Sequence, residues 1–274
     1  MPSDPNAALA VSLYKTLRQQ ENWSAADVWK SIAQLLLTCE IWGVGWQRFH
    51  DVVVFRERND FKISPSRGAN ATMRAADQLT HYLATELNVP RADVCNVIGL
   101  YFKQAAVRHL QPNNLLGNAF RSLVVEILRD YGSPNISYNE EVDPLLEFPG
   151  HTFTTRSKNP RIDIVARRGN ETVALLSTRW RYRHDRVDLV DEAFAYVTPA
   201  RRTFPSCRLF AVVGEFNPAR LLKVLDHSVT ATGRGPIDAT VHFNPLLISA
   251  GLGVNGRLAA LQSLAWLIGQ TFTW

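Results

Sequence analysis

With 274 residues, 46% of them hydrophobic, the chain is long enough for one large domain or two modest ones and too apolar for global disorder. A net charge of +5 permits a nucleic-acid partner without requiring one. Three widely separated cysteines, with no CxxC pair and no His/Cys cluster, speak against a zinc site and against a disulfide scaffold.

The first residues, MPSDPNAALAVSLYKTL, have neither the basic start nor the apolar run of a signal peptide. No apolar run approaches the roughly 18 residues of a membrane-spanning helix. A cytoplasmic protein with reduced, buried cysteines is expected. Of the 30 basic residues only six are lysine, and arginine forks suit bidentate contacts to phosphate and guanine.

Helical spacing of apolar residues predicts helices over 5–20 and 25–40, the second capped by Ser24. Between 42 and 64, the Gly/Trp-rich turn and Val52-Val-Val-Phe55 predict a strand or short helix. Further helices are expected over 67–87 and 91–109, ended by Pro90 and by Gln111-Pro-Asn-Asn. The pattern then changes. A helix over 117–131 precedes strands at 151–155, 161–167 and 172–180, the last two joined as a hairpin by the turn Arg168-Gly-Asn-Glu171. A helix over 188–197, a buried strand over 207–214, a helix over 217–226, a strand over 238–243 and a closing helix over 255–270 complete the chain. Residues 1–112 therefore form a helical N-terminal region. Residues 113–274 form an α/β unit, a mixed sheet flanked by helices.

The densest chemistry lies in Ser177-Thr-Arg-Trp-Arg-Tyr-Arg-His-Asp-Arg186, where ten residues hold four arginines, an aspartate and two aromatics. Residues two apart on a strand share a face, so Ser177 and Arg179 point the same way, toward Asp163 on the paired strand. Glu192, about one turn into the next helix, can lean toward the same point. Glu126, on the helix before the hairpin, is a further candidate of even standing between site and solvent. Two or three carboxylates beside a cation suit a hard cation such as Mg²⁺.

The spacing Asn159-Pro-Arg-Ile-Asp163, Ser177-Thr-Arg179 and Glu192 resembles the PD-(D/E)xK nuclease signature. More narrowly it resembles the CCGG-family Type II restriction endonucleases, in which the second acid has moved to the following helix. Arg183-His-Asp185-Arg186 stands where that family carries an R-x-D-R segment that reads the CC:GG core. The residue types suit base reading, since Arg pairs with guanine O6 and N7 and Asp accepts from cytosine N4. The resemblance spans about residues 117–197.

What the resemblance implies is a PD-(D/E)xK restriction-endonuclease-like core and Mg²⁺ held by Asp163 and Glu192. It implies a bacterial enzyme that cuts double-stranded DNA at a palindrome containing CCGG, or CC and GG around a central base. Cutting before the first C leaves a 5′ overhang. Two subunits, as a homodimer or as monomers pairing on DNA, each cut one strand, and the N-terminal region adds flank recognition and grip. Arg179 stands at the family's lysine position. It stays protonated and so cannot act as a base, but it can stabilise phosphate charge. Lys158 is the other residue able to supply that cation.

Simpler readings stand beside these. Asp163 can pair with an arginine on the hairpin face, and Ser177 has a supporting role. Asp191 reads as the solvated neighbour of Glu192, and Glu140 and Glu141 as loop charges. Two other functions fit the same residues. One is a DNA-binding protein of this fold that has lost catalysis through arginine at 179. The other is a structure-specific repair or junction nuclease.

Overall fold

Apolar-rich segments over 162–168 and 171–179, with Arg168-Gly-Asn-Glu171 between them, fold into a hairpin within a six-stranded sheet. Gly169, at φ +60°, occupies the left-handed conformation that the turn requires. The computed structural model describes residues 7, 11–12, 14–16, 18–19, 22–25, 28, 90, 92, 112–153, 159–180, 182, 188–215, 218–243, 245 and 256–274. The elements expected over 42–87 lie outside the described residues, as does nearly all of the helix expected over 91–109. The described positions between 7 and 19 are helical.

The chain divides into two compact units. One comprises residues 1–123, 216–218 and 246–254, and the other residues 124–215, 219–245 and 255–274. The elements, in order, are α1 (Pro112–Tyr131), β1 (Ser137–Val142), α2 (Pro144–Glu147), β2 (Ile162–Arg168), β3 (Glu171–Arg179) and α3 (Asp188–Thr203). Then follow β4 (Arg208–Val213), α4 (Pro218–Leu225), α5 (Val229–Thr232), β5 (Ala239–His242), a 3₁₀ turn (Gly256–Ala260), β6 (Gln262–Ser263) and α6 (Leu264–Gln270).

The sheet order is β1-β2-β3-β4-β5-β6. The pairs β1–β2 and β2–β3 are antiparallel, and β3–β4, β4–β5 and β5–β6 are parallel. The α/β class and the mixed sheet flanked by helices agree with the sequence expectation. Strands β3 and β4 are buried on both faces, which explains their near-continuous apolar runs. On one face Phe210 stacks on Trp274 at 5.5 Å and meets Trp266 of α6 edge-on at 6.1 Å. On the other, Tyr196 of α3 lies beside Leu175 and Leu209. Among the described residues no helix is long and apolar enough to cross a membrane.

Three expected elements need correction. The first strand is Ser137–Val142, not 151–155; His151, Thr152 and Phe153 have no strand pairing, and Thr154 and Thr155 lie outside the described residues. Phe153 instead packs its ring against Phe148 (6.4 Å) and Tyr196 (5.6 Å). Glu140 and Glu141 are accordingly strand residues and not loop charges. A polar edge strand gains its place from pairing with β2, a long-range contact that local propensity does not reveal.

The closing helix is the second correction, since it starts nine residues later than expected, at Leu264. Residues 262–263 pair with β5, and Ser263 Oγ then caps α6 by accepting from the Trp266 N–H at 3.0 Å. Helix α3 continues six residues beyond the expected 197, through Pro199 to Thr203.

Candidate active site

The registers Ile164↔Leu176 and Val165↔Leu175, continued by one step, set Asp163 opposite Ser177. Asp163 is the second residue of β2 and Arg179 the last of β3, so the group lies at the carboxyl end of the parallel strands β3, β4 and β5. Open α/β sheets place their ligands at that end.

Three donors converge on one carboxylate oxygen, Asp163 Oδ2. Ser177 Oγ lies at 3.2 Å, the Thr178 backbone N–H at 2.7 Å and Arg179 Nη1 at 2.6 Å. Arg179 Nη1 also donates to the Thr178 carbonyl at 2.9 Å, which ties the guanidinium back to its own strand. The side chains of Asp163 and Arg179 are 12% and 27% exposed. The pair therefore lies between a surface bridge, worth about 0–1 kcal/mol, and a fully desolvated one. Asp163 and Ser177 line a narrow cleft with Arg161 and Tyr196. Arg161, which with Ile162 separates Pro160 from the acid in sequence, pairs with Asp143 at 3.1 Å. Asp143 in turn caps α2 by accepting from the Leu145 N–H at 2.9 Å.

Of the residues singled out in the sequence, the described contacts bring together Asp163, Ser177 and Arg179. Glu126, on α1, forms an ion pair with Arg129 at 2.6 Å, and Arg129 Nη2 also donates to the Tyr138 carbonyl of β1 at 3.0 Å. Glu192 lies on α3, and its side chain is outside the described ones. Position 192 is one helical turn before Tyr196, on the same stripe of the helix. Lys158, Arg183, Asp185 and Arg186 lie outside the described residues.

A hard cation needs several oxygen ligands. Among the described residues no group of three or more His, Cys, Asp and Glu side chains could hold a metal ion. Asp163 supplies one carboxylate of the right chemistry, and Glu192 lies on α3 one turn before Tyr196.

Two features were missed in the sequence. The pairs Glu140↔Ile164 and Val142↔Ile162 flank position 141 and set it across from Asp163. Glu141 holds φ +54°, an uncommon conformation for a non-glycine residue. The alternation of Tyr138, Glu140 and Val142 was the available signal for this strand. The second is a buried ion pair beyond the end of β3, between Glu215 and Arg220 at 3.1 Å. Neither partner has a local pattern that announces it.

Comparison with protein-family models, with curated proteins and with solved structures finds no match to this chain.

Proposed function

We propose that the chain is a Type II restriction endonuclease that makes Mg²⁺-dependent double-strand cuts in DNA at a short palindrome containing CCGG. One observation carries the proposal: Ser177, Thr178 and Arg179 converge on Asp163 at the end of a β-hairpin within a mixed sheet. A carboxylate and a cation held together by adjacent strands suit a phosphodiester, which needs charge neutralised on its oxygens.

Asp163 and Glu192 hold the ion in this proposal. Bound there, Mg²⁺ neutralises phosphodiester charge and lowers the pKa of a coordinated water. Ser177 and the Thr178 N–H fix the orientation of the Asp163 carboxylate. Arg179 turns from Asp163 to the scissile phosphate and stabilises the charge that builds on it. It carries no proton away, because a guanidinium stays charged. Glu126 supports the site from α1 after exchanging its Arg129 partner. Arg183, Asp185 and Arg186, just beyond the catalytic strand, read guanine and cytosine edges from the major groove. A palindrome is matched by a two-fold pair of chains, each cutting one strand. Residues 1–112 add grip on the flanking duplex.

The ion pair itself favours a second reading, a protein that binds the same DNA without cutting it. Arg179 occupies the acid that would hold the metal, at 2.6 Å. Incubation of plasmid DNA with the protein and Mg²⁺, followed by sequencing of the ends, separates the two. Discrete fragments with one palindromic end are expected. Salt-sensitive binding without cleavage would establish the second reading.

A further inference from the structure

Tyr182 is the last described residue before the arginine-rich segment 183–186. Both of its backbone polar groups are held by one buried ion pair. Its N–H donates to Glu215 Oε2 at 3.0 Å, and its carbonyl accepts from Arg220 Nη1 at 2.6 Å. Arg220 Nη1 also donates to Glu215 Oε2 at 3.1 Å, and His242 Nε2 lies 3.1 Å from the Glu215 carbonyl oxygen. Glu215, Arg220 and Tyr182 are all buried.

The ladder between β3 and β4 ends just before this point, with the Gly214 N–H donating to the Arg179 carbonyl at 3.0 Å. Trp180 then lies across Gly214, where a Cβ would overlap its ring, and stacks on Phe243 at 5.6 Å. The chain leaving the catalytic strand is thus tied down by side chains from the ends of β4 and β5 and from α4.

Burying two charges costs several kcal/mol of desolvation per ion, and an apolar pair of similar volume often stabilises as well or better. The contribution of Glu215 and Arg220 therefore lies in what they hold. Resting on the proposed function, we infer that they are positioning residues for specificity. They fix the backbone direction at Tyr182, so that residues 183–186 meet base edges in register with the phosphate at Arg179. Neither residue touches DNA. Recognition geometry must be held to about 0.5 Å and 10–20°, and a change of backbone direction at residue 182 is carried into the chain that follows it.

The test uses the full chain carrying Glu215→Gln and Arg220→Met together, which removes both charges and leaves neither unpaired. Two quantities are measured. The first is the ratio of affinities, in Ca²⁺, for a CCGG duplex over the same duplex with one of those base pairs changed. The second is amide hydrogen exchange over residues 182–186 of the free protein. The ratio should fall about tenfold or more, the loss of roughly one bidentate contact, and exchange should accelerate. Arg220→Lys retains a cationic donor and should restore most of the ratio.

An undiminished ratio in the folded double variant overturns the specificity role, and unchanged exchange overturns the clamp. If the double variant does not fold, Glu215→Gln alone is decisive on the same two measurements. A wild-type protein that does not discriminate between the duplexes counts against the proposed function and removes the specificity role with it. The exchange measurement still decides the clamp.

Discussion

At Asp163 three donors meet on one oxygen, and the chemistry of the site turns on which of them can let go. Ser177 and the Thr178 N–H belong to the strand, whereas the Arg179 guanidinium is on a long side chain that can turn to a phosphate. Asp163→Asn keeps the shape and removes the charge. Cleavage should fall by on the order of 1,000-fold, at the upper end of what loss of one charge-stabilising group costs, with specific binding in Ca²⁺ retained. Timed plasmid digestion and a binding titration measure the two, and normal cutting by this variant would remove Asp163 from the site. Arg179→Lys distinguishes the functions. A cutting enzyme should stay within about tenfold of wild type, because a cation remains, whereas a protein inert through its arginine should gain cleavage.

At the scale of elements, two contacts lock the core that presents this site. Gly214 is required because the Trp180 ring lies where its Cβ would be. Gly214→Ala should destabilise by about 1–3 kcal/mol, the usual cost of overpacking, seen as a lower urea midpoint with an unchanged slope. Helix α6 begins where Ser263 accepts from the Trp266 N–H. Ser263→Ala should cost about 1 kcal/mol, and an unchanged thermal midpoint would show that β6 pairing alone sets that boundary. The hairpin was legible in the sequence because two short apolar runs flank the Arg168-Gly-Asn-Glu171 turn, which pairs them locally. Strand β1 was not, because Ser137, Asn139, Glu140 and Glu141 are poor strand formers that take a sheet edge only when β2 is beside them.

Across the whole molecule, stability should fall at alkaline pH. Burial pushes the Cys207 thiol up to about 12, with Asp238, Glu147 and Glu171 adding to the shift and Arg201 opposing it. Burial likewise raises the Tyr138 phenol. Both groups are neutral when protonated, and their folded pKa values are raised. Their contribution is therefore complete below the unfolded pKa and is lost as pH rises toward the folded one. For Cys207 that window opens near pH ~8.5, and by pH 10.5 the loss is about 3 kcal/mol. Denaturant titrations at pH 7.5 and 10.5 should show it, and Cys207→Ala should lose less over the same interval. The same two proteins losing stability equally would mean that the thiol ionises without unfolding.

The sequence alone determined the local units: the hairpin that sets Asp163 against Ser177 and Arg179, the apolar strand β4, and the helix on which Glu192 lies. Each is specified by a period, a turn or a cap within about twenty residues. Only the tertiary structure decided that β1 closes the antiparallel edge and sets position 141 across from Asp163. It also decided that Glu215 and Arg220, more than thirty residues beyond Tyr182, hold that residue's backbone. Those features arise from pairing and burial between distant segments. A polar residue shows its partner only after the chain has folded and water has been excluded.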